Sequence, residues 1–306
     1  MGLFSKDYES AGVGISKNAP KKKGAALFFD IMGRKIWNLF WVNLLYMLFY
    51  LPLVMIIPFV GLLKENSTAA LVVLVALLLV FMVLIGPATA GMTKVLRLFV
   101  LGKHSFIFRD FFKGFKTNFK NAAIVGFIDC LIVLSAYASL NVYPALAVQT
   151  SRLVYVPMVI TFSLFLVIVM MNHYIFLMMT ATSLSLKNLF KNSLALAFVA
   201  LKQNFLVFII SLLTLALMFV LFVWLTPVFL FLIPFFPAAF ICLLNCFVCY
   251  PVIQKYVINP YYTSIGEVNP ELIDDTPTAE ERVFEDMGGK EKPVEKRKKG
   301  KGKRIS

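Results

Sequence analysis

Charge is scarce in this 306-residue chain: Asp, Glu, Lys and Arg together make up 15% of it, histidine occurs twice and cysteine four times. A soluble domain ordinarily carries about 25% charged residues, so a water-facing enzyme surface is excluded. The four cysteines, Cys130, Cys242, Cys246 and Cys249, all lie inside apolar runs, which excludes a disulfide framework stapling extracellular loops. There is no Gly-Lys-Ser phosphate loop, no His-Glu-x-x-His and no Gly-x-Ser-x-Gly. No catalytic residue, metal ligand or cofactor is therefore assigned, and the chain is not expected to be an enzyme.

What is present is apolar: 60% of residues, with a mean hydropathy of +0.83. Uninterrupted runs longer than ~18 residues select helices over a β-barrel, because a helix satisfies its own backbone in lipid. The expected fold is all-α, a polytopic membrane bundle of six spans near residues 36–62, 68–85, 121–147, 153–180, 205–224 and 228–250. Pro52 and Pro58 should kink the first span, Gly86-Pro87 interrupts the apolar run of the second, and Pro234 and Pro237 should bend the sixth. Residues 1–24 read as a flexible cytoplasmic arm without a cleavable leader, 25–259 as the membrane domain, and 260–306 as a disordered charged tail. Cys242, Cys246 and Cys249 share one helix face and read as small packing residues.

The cations fall in blocks. If alternate loops face the cytoplasm, 28 of the 30 Lys and Arg lie inside, and only Lys64 and Arg152 outside. Cations resist translocation, so this asymmetry predicts a cell-membrane protein with both termini cytoplasmic.

Two connecting segments are expected to be interfacial amphipathic helices on the cytoplasmic side. In the first, Phe108, Phe111, Phe112, Phe115 and Phe119 repeat at helical spacing, while Arg109, Lys113, Lys116 and Lys120 repeat on the other side. An aromatic face opposed to a basic face suits a helix lying along the bilayer surface; a connector packed on the protein would show the same pattern. The second segment, 185–204, carries Lys187, Lys191 and Lys202. A shorter helix over 25–35 should hold Asp30 and Arg34 one turn apart.

Asp129 is the only carboxylate within an expected span, and His173 also lies in one. A charged Asp at a helix centre costs ~2.5–3.5 kcal/mol on insertion, so it needs a partner, a wet cavity or a proton. Two readings stand: a proton- or solute-linked Asp129–His173 pair facing the interior, or a protonated Asp bound to a neighbouring helix beside an interfacial His. Asn141, Asn172 and Asn245 read as interhelical hydrogen-bond partners. The basic tail, Lys296 to Arg304, should bind anionic lipid; it contains no aromatic to stack on bases, so no specific nucleic acid is expected.

Phe112-x-x-Phe115-Lys116-x-Asn118-Phe119 recurs as Phe198-x-x-Leu201-Lys202-x-Asn204-Phe205, which suggests a parallel internal repeat or shared interface chemistry. The run Gly86-Pro87-Ala88-Thr89-Ala90, then Lys94-Val95-Leu96-Arg97, then Phe111-Phe112-x-x-Phe115-Lys116-x-Asn118-Phe119 resembles the YesL-like integral membrane proteins of Gram-positive bacteria, a domain-of-unknown-function family. The resemblance implies an accessory or regulatory role beside a carbohydrate importer of the ATP-driven type, whose ATPase would be another chain. A small-solute transporter or channel in its own right is the alternative. The resemblance carries over no catalytic or ligand-binding residue.

Overall fold

The computed structural model describes residues 22–63 and 68–271, and among these no strand occurs. The order is α1 (Gly24–Arg34), α2 (Ile36–Met47), a 3-10 turn (Leu48–Tyr50), α3 (Leu51–Val54), α4 (Ile56–Leu63), α5 (Thr68–Val100), α6 (Ile107–Thr117), α7 (Phe119–Gln149), α8 (Tyr155–Ala181), α9 (Leu186–Val199), α10 (Leu201–Trp224), α11 (Thr226–Leu232), α12 (Pro237–Ile253), a π-turn (Gln254–Ile258) and α13 (Asn259–Ser264). Six stretches are long and apolar enough to cross a membrane: Ile36–Pro58, Thr68–Val100, Phe119–Gln149, Arg152–Ala181, Leu201–Trp224 and Pro237–Ser264. In five of them only 6–22% of the most apolar window is buried within the protein. Side chains such as Leu213 and Phe219 stand outward at 63% and 67% exposure. An apolar exterior on this scale belongs in lipid, and the chain is a multi-pass membrane protein.

The last span differs from the others, with 56% of its window buried. It is the central helix, packed on α2, α5, α8 and α10. Cys242, Cys246 and Cys249 are buried along it, as small packing residues, with the Cys242 thiol 3.6 Å from the Thr93 hydroxyl.

Proline chemistry shapes the spans. Ile36–Pro58 is broken into short pieces around Pro52, as expected. Pro87, by contrast, sits inside the continuous 33-residue α5. Gly86 has a packing role there: a Cβ on it would collide with the Ala122 carbonyl, and one on Gly126 would stand 2.6 Å from the Gly86 amide nitrogen. Absence of both side chains lets α5 and α7 touch backbone to backbone. Gly102, at φ +69°, ends α5, and the Lys103 N–H closes the turn on the Leu98 carbonyl at 3.0 Å.

The sixth span departs from expectation. Residues 226–236 do not form its outer half; α11 is a separate helix, and the span starts at Pro237 and continues to Ser264. Pro234 and Pro237 remove backbone donors, so the chain breaks instead of bending. The expected tail boundary at residue 260 likewise falls inside helix, because α13 carries the chain past Asn259-Pro260 before Gly266, at φ +74°, turns it. Residues 1–21 and 272–306, which hold most of the expected arm (1–24) and all of the basic tail, lie outside the described residues.

The connecting helices follow the pattern only in part. Asp30 and Arg34 of α1 pair at 2.9 Å, and Phe28 is buried against Phe240 and Phe247. In α6 the cations Arg109, Lys113 and Lys116 are exposed, as is Lys120 at the start of α7. The phenylalanine face divides: Phe111 is fully buried and Phe115 is half-buried on Phe49, whereas Phe108, Phe112 and Phe119 are 52%, 40% and 39% exposed. The cause is Gly114, which lets α6 seat on Gly91 of α5. The repeat does not keep register. The first copy breaks at Asn118 and the second at Ala200, four residues earlier in the motif.

Candidate functional site

Polar side chains inside an apolar bundle fall into two kinds here, separated by how fully they are bonded. Asn43 of α2 is completely buried and saturated. Its amide donates to the carbonyls of Ile233 (3.0 Å) and Pro234 (2.8 Å), and its oxygen accepts the Ala239 N–H (2.9 Å). It thus supplies the partners that the break between α11 and α12 leaves unpaired. Asn204 of α10 is saturated too: it donates to Leu196 and Ala197 of α9 and accepts the Tyr174 hydroxyl at 2.5 Å. Neither was among the asparagines singled out from sequence as interhelical partners. An amide within an apolar run is the signal that could have found Asn43; Asn204 follows Lys202 and Gln203, so no such contrast marks it.

The second kind gathers around two adjoining cavities. The larger, of about 960 Å³, lies between α2, α5, α8, α10 and α12. The smaller, of about 430 Å³, lies between α2, α5 and α7 and includes Asp129 and Cys130 in its wall. Tyr46, Tyr50, Thr89 and Phe176 line both. Four residues lining the larger cavity each carry a buried polar atom with no protein partner: Asn172 Oδ1, His173 Nδ1, Ser211 Oγ and Asn245 Oδ1. Buried polar groups are normally paired, so a cluster of four in one cavity marks a place where hydrogen-bonding capacity is held open.

Asp129 is bonded to Asn172, whose amide donates to Asp129 Oδ1 at 2.8 Å. The carboxylate thus meets the residue preceding His173, and the described contacts hold no Asp129–His173 bond. His173 lines the larger cavity and its Nδ1 is buried without a hydrogen-bond partner, while its backbone carbonyl accepts the Asn245 amide at 3.0 Å. Asn172 and Asn245 are interhelical partners, as expected. Asn141 is not: it is exposed and bonds back to Tyr137 of its own helix at 2.8 Å.

The wall shared by the cavities is fixed by a chain of hydroxyls. The Thr89 hydroxyl donates to the Ile85 carbonyl at 2.8 Å, which spends its one proton. Tyr46 must therefore be the donor in its 3.1 Å bond with Thr89. One turn on, the Thr93 hydroxyl donates to the Thr89 carbonyl at 2.7 Å. A molecule entering the larger cavity would meet aromatic and aliphatic walls with a few polar groups, a composition usual for small-molecule pockets. Among the described residues no group of His, Cys, Asp and Glu is arranged to hold a metal ion.

No curated protein and no solved structure matches this chain. Residues 39–140, which run from α2 into α7 and include Asp129, match a family described as "Protein of unknown function, DUF624".

Proposed function

We propose that this membrane protein is an accessory or regulatory component beside a carbohydrate importer of the ATP-driven type, set in the cell membrane with both termini cytoplasmic. The YesL-like resemblance over residues 86–119 supports this reading, and it falls inside the segment matched by the family. The observation that carries the accessory role over that of a sugar conduit is the cavity wall. Each sugar hydroxyl that leaves water without a new partner costs ~1–3 kcal/mol. A wall that is mostly apolar, with only four unpaired polar atoms, offers too few replacement partners. The reading gives this chain no chemistry of its own; ATP hydrolysis would belong to a partner.

Purification from native membranes after mild cross-linking tests the proposal. Importer subunits should be recovered with the tagged chain and lost when the tag is placed on an unrelated membrane protein. Their absence after cross-linking would defeat it.

A small-solute transporter is the second reading, favoured by Asp129 lying within a span beside a cavity and bound only to a neutral amide. Proteoliposomes containing this chain alone should then accumulate solute, and Asp129→Asn should abolish the uptake. Vesicles that take up nothing would leave the accessory reading in place.

A further inference from the structure

We propose that Arg97, Tyr250 and Gln254 form a carboxylate-binding site at the end of the bundle where the described chain begins and ends, and that the chain's own Glu271 is its tethered ligand. The inference is independent of the importer role. Arg97 lies on α5 two turns beyond Thr89 on the same face, and it is 9% exposed. A guanidinium this enclosed needs compensating charge. Its contacts with the described helices are neutral: its Nη2 donates to the Thr180 carbonyl at 3.3 Å, Nη1 to the Tyr250 hydroxyl at 2.9 Å, and the Tyr250 ring lies 5.3 Å away.

Glu271 brings the missing charge from a distant part of the chain. Its Oε1 accepts from Arg97 Nη1 at 2.9 Å. Its Oε2 accepts the Tyr250 hydroxyl, and the Gln254 amide at 3.4 Å. Three side chains from two spans thus converge on one carboxylate. The approach is itself built: Glu271 N–H donates to Asn269 Oδ1 at 3.0 Å, and the buried Asn269 amide donates to Asn259 Oδ1 at 3.0 Å. The site sits against the π-turn Gln254–Ile258, the kind of helix irregularity found at functional positions.

Two features make this a binding site more than a fixed strut. Arg97 Nε is buried and unpartnered, so Glu271 uses only one corner of a fork that binds carboxylates through two. The Glu271 side chain is also twice as exposed as that of Arg97, 22% against 11%, so the ligand faces outward and the receptor inward. Release of Glu271 would free the segment after α13 and uncover Arg97. The Arg97 face of α5 leads through Thr93 to Thr89 on the wall of the membrane cavity.

The test uses the full-length protein in nanodiscs. Glu271→Gln removes the charge and keeps the shape; hydrogen exchange over residues 265–271 should rise about tenfold, the equivalent of one charge-assisted hydrogen bond. A fluorescent peptide of residues 265–272 should bind the Glu271→Gln protein at least about tenfold more tightly than the wild type, whose site is filled. The same peptide carrying Glu271→Gln should not bind. Tyr250→Phe, which keeps the ring and removes one donor, should weaken peptide binding without unfolding the bundle, as near-unchanged melting would verify. Unchanged exchange in Glu271→Gln, or equal binding of the charged and neutral peptides, would overturn the proposal.

Discussion

Four intramembrane asparagines show that residue type alone does not set energetic weight. Asn43 and Asn204 have both ends of the amide bonded, whereas Asn172 and Asn245 each leave an oxygen unpaired. Asn43→Ala strands two carbonyls and one N–H away from water, each worth ~1–3 kcal/mol when buried and unpaired. The expected loss is about 2–4 kcal/mol in thermal or denaturant unfolding in detergent. Asn245→Ala removes one bond but also one unpaired oxygen, so its loss should stay below about 1 kcal/mol. Equal losses for the two variants would contradict the division between structural and cavity-facing amides.

Among elements, the α5–α7 contact is the most demanding. Gly86 and Gly126 oppose each other so closely that neither position has room for a Cβ. Gly126→Val should separate the helices and lower stability by about 1–3 kcal/mol or more, while Gly33→Val, at a position with open space, should do so only through helix propensity. Comparison of the two melting curves checks this. For α6, spin labels replacing Arg109 and Lys113 should be reached by a water-soluble relaxation agent, and one replacing Phe111 should not. If α6 lies along the bilayer, labels at Phe108 and Phe112 should respond to dissolved oxygen instead; uniform water exposure would refute a membrane-lying helix.

For the whole molecule, six crossings would put the two ends of the described chain on one side, and the 28-to-2 cation asymmetry predicts that this side is cytoplasmic. Single cysteines in a background free of the four native ones provide the check. A probe at Thr150 should react with an impermeant thiol reagent added to intact cells, and a probe at Gly102 only after lysis. The reverse pattern would invert the orientation.

The count of six spans, and the rough placement of the first five, were legible in the sequence because they follow from local composition. A run of apolar residues in lipid has no option but to bond its own backbone, and that requirement is met within each run. The Asp30–Arg34 pair and the basic face of α6 were legible for the same reason, since their partners are one turn away. The associations that build the candidate sites were not. Asn43 reaches carbonyls 190 residues away, Arg97 pairs with a carboxylate 174 residues away, and Asp129 meets Asn172 across 43 residues. Periodicity says which face a residue occupies, but two helices brought together by Gly86 and Gly126 choose their neighbours through close packing of backbones. The break at Pro234 and Pro237 was visible as two prolines. Its consequence, a separate α11 held by an amide from the first span, was decided only when tertiary packing brought Asn43 to the groups those prolines left unpaired.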